Sequence, residues 1–167
     1  KLIMADVTNS KLTELNTGIL KKDACIVLVK TDWNAAITDQ LERGCIAELE
    51  KYQVNIIVFT VPGAVEIPFA IKSFWDHSDR KEKPDAFIAL GCVIKGDTPH
   101  FDYVCRLVTD GVGQLNLSLP VPTIFGVLTV NTEEQAMERI GGKHWNKGEE
   151  AAITALKMIS LLESFKK

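Results

Sequence analysis

The sequence contains no apolar run that approaches the roughly 18 residues needed to cross a membrane, so we expect no membrane association. It also has no basic surplus: 19 Lys and Arg face 22 Asp and Glu, the formal net charge is -3, and the basic residues are scattered. That distribution argues against nucleic-acid binding. The four cysteines form no C-x-x-C pair and match no zinc-ligand spacing, so we expect no metal site. Unpaired thiols are typical of a reducing compartment, and we expect a cytoplasmic protein.

Apolar residues, in contrast, are abundant and occur in short runs. Hydrophobic residues make up 46% of the 167 positions, which is enough to bury the core of a single domain, predicted at 24–167. Four β-branched runs are continuous rather than alternating, a pattern typical of parallel strands that are buried on both faces. These predicted strands are 24–30, 55–61, 86–91 and 123–129.

Helical patterns lie between and after the predicted strands. Pro99 suits the first helical position if Thr98 is the N-cap, and Thr132 with Gln135 forms a capping-box pattern. The alternation of strands and helices predicts a three-layer α/β sandwich around a four-stranded parallel sheet, with ligands at the carboxyl ends of the strands. The predicted helices are 35–52, 67–75, 98–117, 132–140 and 145–165.

Residues 1–23 have a different character, because a short apolar stretch at Leu2-Ile3-Met4 and Val7 is followed by polar residues. Two interpretations stay open for this segment. It is either a frayed tail or an N-terminal arm that adds a strand to the sheet edge of a neighbouring subunit.

The segment after the third predicted strand, residues 91–102, carries the most chemistry. Gly96, Thr98 and His100 stand at the expected start of a helix, where N–H groups and a hydroxyl can bind an anion and the imidazole can transfer a proton. The glycine spacing resembles a nucleotide P-loop, but Asp97 stands at the lysine position and would repel a triphosphate. A monophosphate stays compatible, and the structural alternative is a turn glycine with a helix cap.

Other segments add candidate contacts, each with a structural alternative. Gly63 and Ala64 allow a flat ligand to approach the backbone. Glu66 needs a polar partner such as a ligand hydroxyl if it is buried, or it is a solvated glutamate at the start of a helix. Trp33 can stack on a heterocycle, or it can be a partly buried structural residue. Arg139 can bind phosphate with its planar fork, although a solvated charge is the commoner role. It does not easily reach the predicted anion site of its own subunit, which suggests a site shared between subunits.

Six short motifs follow one another along the chain: Asp32-Trp33-Asn34, Val61-Pro-Gly-Ala-Val-Glu-Ile-Pro68, Gly91-Cys-Val-Ile-Lys-Gly-Asp-Thr-Pro-His100, Ile124-Phe-Gly-Val-Leu-Thr129, Glu133-Glu-Gln-Ala-Met-Glu-Arg139 and Asn146-Lys147-Gly148. In this order and spacing they resemble the lumazine synthases. The resemblance implies a flavodoxin-like fold and a condensation that needs neither metal nor cofactor, in the penultimate step of riboflavin biosynthesis. 5-Amino-6-(D-ribitylamino)uracil and 3,4-dihydroxy-2-butanone 4-phosphate would give 6,7-dimethyl-8-ribityllumazine with loss of phosphate and water.

The resemblance also implies a role for each site residue. His100 is the catalytic proton shuttle in imine formation and phosphate elimination. The phosphate is held by Gly96, Asp97, Thr98 and Arg139. Trp33 stacks on the pyrimidine, and the rest of the ribitylaminouracil site is formed by Asn34, Gly63, Ala64, Val65, Glu66, Cys92, Val93, Ile94, Lys147 and Phe125, the last supplied by the neighbouring subunit.

Two positions depart from the family pattern, because residue 65 is often aromatic but is Val65 here, and residue 33 is often Phe but is Trp33 here. The family assembles as pentamers and, in some members, as a sixty-subunit icosahedral shell. The short segment 139–147 favours a shell for this chain. The resemblance also makes riboflavin synthase a candidate partner.

Two other functions stay open at the level of sequence. A non-enzymatic flavodoxin-like module, either flavin-carrying or a response-regulator receiver, would share the fold. The first post-strand loop has only one threonine and a bulky indole, however, and the third strand does not end in aspartate. A paralogue that binds a lumazine or flavin without turnover is suggested only by Val65.

Overall fold

The structure is a computed structural model that describes residues 11–12 and 23–166. Within these residues the longer strands are β1 (Cys25–Thr31), β2 (Asn55–Val61), β3 (Ala86–Ile94) and β4 (Thr123–Val130), and a hairpin is formed by β5 (Ile140–Gly142) and β6 (Trp145–Asn146). The helices are α1 (Ala35–Glu50), α2 (Ile67–His77), α3 (His100–Ser118), α4 (Glu133–Met137) and α5 (Lys147–Phe165).

The four longer strands form one parallel sheet in the order β2-β1-β3-β4, which confirms the predicted sandwich. Apolar residues of α1 and α5 cover one face, and those of α2 and α3 cover the other. The strand order reverses between β1 and β3, because the chain leaves β1 for one side of the sheet and later returns to the other side. Open α/β sheets form their ligand crevice at the carboxyl ends of the strands beside such a switch point.

The strands differ in burial according to their place in the sheet. Residues such as Ile26 in β1 and Ile88 in β3 are fully buried, as the continuous apolar runs predict. β2 has the predicted bounds but lies at an edge, where Ile57 is 38% and Val58 is 37% exposed. The prediction that every run is buried on both faces is therefore wrong for β2.

β3 is longer than the sequence predicts, since it continues past Gly91 to Ile94. A Cβ atom at Gly91 would lie only 3.3 Å from Cγ2 of Thr31 on the adjacent strand. The glycine therefore makes room for a neighbouring side chain and does not end the strand. Cys92 and Val93 therefore belong to the strand and lie beyond its predicted end at residue 91.

The start of α3 also differs from the prediction. The helix begins at His100 with Pro99 as its N-cap residue, so Thr98 is not the cap and Pro99 is not the first helical residue. In α4 the predicted cap is confirmed, because the N–H of Gln135 donates to Oγ1 of Thr132 at 3.3 Å.

The segment 138–146 was predicted as the end of one helix and the start of the next, and this is wrong. α4 ends at Met137, and the residues that follow form the β5–β6 hairpin. Trp145 lies in this hairpin with a φ of 64°, a left-handed conformation that does not occur within a right-handed helix, so Trp145 is not the first residue of α5. Helix α5 starts two residues later, where the side chain of Asn146 caps the N–H of Gly148 at 2.8 Å.

The predicted N-terminal arm, residues 1–23, lies outside the described residues except for Lys11, Leu12 and Asp23. None of the helices in the described ranges combines the length and apolar character needed to span a membrane. The same ranges hold no group of three or more His, Cys, Asp or Glu side chains placed to bind a metal ion. No disulfide joins the four cysteines, all of which are described.

Candidate active site

All predicted site residues except Asp97 line one of two separate clefts. The first, the switch-point cleft, lies beyond the carboxyl ends of the strands and has a volume of about 490 Å³. The second, the edge cleft, runs along the outer edge of β4 and has a volume of about 570 Å³. The two clefts share no lining residue. Of the predicted residues, the switch-point cleft contains Trp33, Asn34, Gly63, Ala64, Val65, Glu66, Cys92, Val93, Ile94, Gly96, Thr98 and His100, and the edge cleft contains Phe125, Arg139 and Lys147.

The turn between β1 and α1 forms one wall of the switch-point cleft. Trp33 is 74% exposed, and its N–H donates to the carbonyl of Pro62 at 3.1 Å. Asn34 adopts a left-handed conformation with a φ of 60°, and its Nδ2 donates to the carbonyl of Cys92 at 2.8 Å. These bonds join the ends of β1, β2 and β3, so the cleft is assembled by contacts between three post-strand segments.

The segment that leads from β2 into α2 forms a second wall. A short 3-10 turn, Ala64–Glu66, precedes the helix, and Pro68 lies in the first turn of α2. A Cβ atom at Gly63 would lie 3.1 Å from Oε2 of Glu66, so the glycine leaves room for that carboxylate. Val65 is 37% exposed on this wall. The result is a shallow apolar surface with one carboxylate beside it.

The end of β3 and the start of α3 form the third wall. A Cβ atom at Gly96 would meet no described atom within 4 Å, so the space beside this residue is open. No side chain caps α3 among the described residues, which leaves Thr98 uncommitted to the helix end. His100 is exposed as the first residue of that 19-residue helix. Asp97 is exposed but is not among the lining residues.

Cys92 reaches the switch-point cleft but has the properties of a buried thiol. Burial, with a further contribution from the negative charge of Glu133, raises the pKa of Cys92 to about 11. The thiolate is the nucleophilic form of cysteine, and it is scarce at neutral pH when the pKa is so high. We therefore assign no chemistry to this sulfur.

The β5–β6 hairpin brings two cationic side chains together in the edge cleft. The N–H of Lys147 donates to the carbonyl of Arg139 at 2.9 Å. Arg139 is only 8% exposed and also donates to the carbonyl of Gln135. Nζ of Lys147 forms an ion pair with Oε2 of Glu150 at 2.6 Å. Glu150 was not predicted, although its spacing of three residues from Lys147 on a helix is the signal that could have identified it.

Phe125 is the aromatic residue of the edge cleft. A phenylalanine within a strand would normally be core, but this one is 41% exposed. Among the predicted residues, the switch-point cleft thus holds the imidazole, the open helix start and the indole, while the edge cleft holds the two cations and the phenyl ring. The described lining of the switch-point cleft includes no Lys or Arg. Neither cleft alone contains the full set of groups.

Comparisons of the sequence with known proteins all point to the same family. The model of the 6,7-dimethyl-8-ribityllumazine synthase family matches residues 23–163. The 6,7-dimethyl-8-ribityllumazine synthase of Bacteroides fragilis is 50% identical over 143 residues, which cover 84% of this chain and 97% of the relative. That of Parabacteroides distasonis is 46% identical over 151 residues, which cover 89% and 86%. That of Bdellovibrio bacteriovorus is 50% identical over 137 residues, which cover 81% and 74%.

Proposed function

Because the chain belongs to the 6,7-dimethyl-8-ribityllumazine synthase family, we propose that its active site forms where the switch-point cleft of one subunit meets the edge cleft of the next. The enzyme condenses 5-amino-6-(D-ribitylamino)uracil with 3,4-dihydroxy-2-butanone 4-phosphate, and 6,7-dimethyl-8-ribityllumazine forms as phosphate and water leave. The observation that supports a composite site is the division of the site residues between two clefts with no lining residue in common.

A contact between two different surfaces repeats around a ring when the rotation closes. We propose a closed homo-oligomer of this kind, a pentamer, with pentamers assembled into an icosahedral shell and riboflavin synthase as a candidate partner. The arm 1–23 would add a strand to a neighbouring sheet, for which the edge strand β2, with exposed Ile57 and Val58, offers a site. We place the enzyme in the cytoplasm, where thiols stay reduced.

The uracil substrate binds to the flat walls of the switch-point cleft. The exposed indole of Trp33 stacks on the pyrimidine, and Phe125 of the partner subunit approaches the same ring from the edge cleft. The ribityl chain lies along the wall 63–66, where the carboxylate of Glu66 accepts from its hydroxyls. The backbone at 92–94 contacts the ring edge, and Asn34 fixes this backbone through the Cys92 carbonyl.

The phosphate of the second substrate binds at the start of α3. The unpaired N–H groups and positive end of a helix favour an anion. The backbone of Gly96 and Asp97 and the hydroxyl of Thr98 surround this position, while the carboxylate of Asp97 faces solvent. Arg139 of the partner subunit supplies the guanidinium fork, which binds phosphate oxygens in pairs. Lys147 lies beside it and is held by Glu150.

His100 transfers protons between these two binding regions. As the amine of the uracil attacks the ketone, the imidazole accepts a proton from the nitrogen and delivers it to the alkoxide oxygen, which gives a carbinolamine. A second transfer from the nitrogen to the hydroxyl expels water and leaves the imine. The imidazole then accepts a proton from the carbon next to the imine as the phosphate leaves. The resulting enol becomes a ketone, and the ribitylamino nitrogen attacks this carbonyl and closes the ring with loss of a second water. An imidazole suits both steps because it exchanges protons near neutral pH.

The test of this role is His100→Ala, with product formation followed by lumazine fluorescence and corrected for the uncatalysed reaction. Loss of general acid–base catalysis should slow turnover by about 10²-fold or more. The KM values of both substrates should change little, because His100 is assigned to proton transfer rather than binding. A wild-type turnover rate in a correctly assembled variant would remove His100 from the mechanism.

A further inference from the structure

The orientation of Trp33 depends on the turn that carries it. The indole is 74% exposed, so few contacts to the ring itself can hold it. If the turn were mobile, a stacking ligand would have to order it on binding, and that ordering would reduce affinity. The stacking surface is therefore only as well positioned as the backbone of residues 31–34.

Two buried hydroxyls hold this backbone. Thr31, the last residue of β1, is 1% exposed, and its Oγ1 donates to the carbonyl of Trp33 at 3.2 Å. Thr38, in the first turns of α1, is fully buried, and its Oγ1 donates to the carbonyl of Thr31 at 2.9 Å. A chain of hydrogen bonds thus runs from α1 through the end of β1 to the residue that carries the indole.

Residues of β3 and β2 contact the segment that these hydrogen bonds hold. A Cβ atom at Gly91 would lie 3.3 Å from Cγ2 and 3.5 Å from Oγ1 of Thr31, so a larger residue at 91 would press on the hydroxyl. The N–H groups of Asp32 and Trp33 donate to the carbonyls of Val61 and Pro62 at 2.8 and 3.1 Å. The turn is therefore restrained in two ways. Backbone hydrogen bonds hold it to the end of β2, and the hydroxyls of Thr31 and Thr38 hold it to β1 and α1.

We propose that Thr31 is a positioning residue that holds Trp33 ready for the uracil ring, with Thr38 as its support. Thr31 does not line the switch-point cleft, so its effect on the substrate must pass through Trp33. The inference rests on the proposed function, since it takes Trp33 as the stacking surface. Supporting hydrogen bonds of this kind fix a binding residue before the ligand arrives.

The test replaces Thr31 by Val, which has the same shape and lacks the hydroxyl. Loss of one hydrogen bond that orders the turn should raise the KM of the uracil substrate by about 3- to 10-fold. The KM of the butanone phosphate and the kcat at saturation should stay within about twofold, since the bound ring itself then orders the turn. Thr31→Ser retains the donor and should restore the wild-type KM.

Thr109→Val is the matched control. Thr109 also donates its Oγ1 to a backbone carbonyl, that of Cys105 at 2.6 Å, but it lies in α3 and lines neither cleft. The same substitution there should leave both KM values unchanged. Thr38→Val provides a second test if Thr31→Val does not assemble, and it should raise the KM of the uracil substrate by a smaller factor.

Trp33→Ala separates the two proposals. If it leaves the KM of the uracil substrate unchanged, the stacking role fails, and the proposed function must be revised. If Trp33→Ala raises that KM but Thr31→Val and Thr38→Val leave it at the wild-type value, only the positioning role is overturned. A rise in both KM values that Thr31→Ser does not reverse would also overturn it, because that result indicates a general structural effect.

Discussion

The two clefts are constructed differently. The switch-point cleft is formed by turns and strand ends, and hydrogen bonds between Trp33, Asn34 and neighbouring backbone carbonyls hold it together. The edge cleft is lined by two long cationic side chains, those of Arg139, just before β5, and Lys147, at the start of α5. The fold thus forms a shaped binding surface in the switch-point cleft and places cationic side chains in the edge cleft. In the proposed composite site, a neighbouring subunit brings the cations of its edge cleft to the switch-point cleft.

Among the substitutions that test this difference between the clefts, Arg139→Ala should change a KM value the most. Removal of a charge-assisted contact to phosphate should raise the KM of the butanone phosphate by about 10- to 100-fold. The KM of the uracil substrate is the internal control and should change little, because its ring and ribityl chain bind elsewhere. Steady-state kinetics with each substrate varied in turn measures both values.

Arg139→Lys refines that experiment, since it keeps the positive charge but loses the planar fork. We expect an intermediate KM for the phosphate substrate. Because Arg139 is mostly buried, thermal unfolding of each variant should be recorded beside the kinetics. An unchanged KM for the phosphate substrate in a stable Arg139→Ala protein would contradict the phosphate assignment.

The helices beneath the two clefts can be compared by adding one methyl group to each. A Cβ atom at Gly148, in α5 below the edge cleft, would lie 1.9 Å from the carbonyl oxygen of Leu41, so a backbone shift is unavoidable. Gly148→Ala should destabilise the protein by about 1–3 kcal/mol. In α3, a Cβ atom at Gly113 would meet no described atom within 4 Å.

Gly113→Ala should therefore stabilise the protein by about 0.5–1 kcal/mol, because alanine loses less conformational freedom than glycine in a helix. Thermal unfolding at one fixed protein concentration compares the two variants, since assembly contributes to the measured stability. Equal and unchanged melting temperatures would show that α1 and α5 are not as closely packed as the structure indicates.

The smallest effect is expected from Cys92→Ala. Burial and the charge of Glu133 raise the pKa of Cys92 to about 11, so the thiol stays protonated at neutral pH. Cys92 contributes to the switch-point cleft through its backbone, which the substitution leaves in place. The kcat/KM of Cys92→Ala should therefore differ from the wild-type value by less than about threefold. A loss comparable to that of His100→Ala would instead give the sulfur a chemical role.

Much of the fold could be predicted because its patterns are local. Continuous apolar runs identified β1 to β4, and the capping pattern located the start of α4. The errors occurred where distant residues decide the structure. The predicted strand stops at Gly91, yet β3 continues to Ile94 because residues 91–94 pair with residues 127–130 of β4. β2 lies at an edge because of the order of the strands in the sheet. The apolar run of β2 by itself carries no information about that order.

In the candidate site, too, features set by neighbouring residues in the sequence could be predicted, and features set by distant residues could not. Trp33, Glu66 and His100 line one cleft because all three follow strands at the carboxyl end of the sheet, and the order of strands and motifs in the sequence is enough to predict this. The β5–β6 hairpin was missed, since two- and three-residue strands around Gly141 and Gly142 resemble a helix end. Glu150 belongs to no motif, and its contact with Lys147 arises because both lie in the first turn of α5.

A subunit-mixing experiment tests the composite site most directly. His100→Ala damages only the switch-point cleft, and Arg139→Ala damages only the edge cleft. Chains of the two variants, co-expressed in equal amounts and purified through two different tags, should form oligomers in which about one quarter of interfaces combine two intact clefts. With the phosphate substrate far below its KM, the mixed oligomers should recover about a quarter of wild-type activity, while each variant alone stays near its own low rate. Mixed oligomers no more active than the average of the two variants would show that each subunit contains its own complete site.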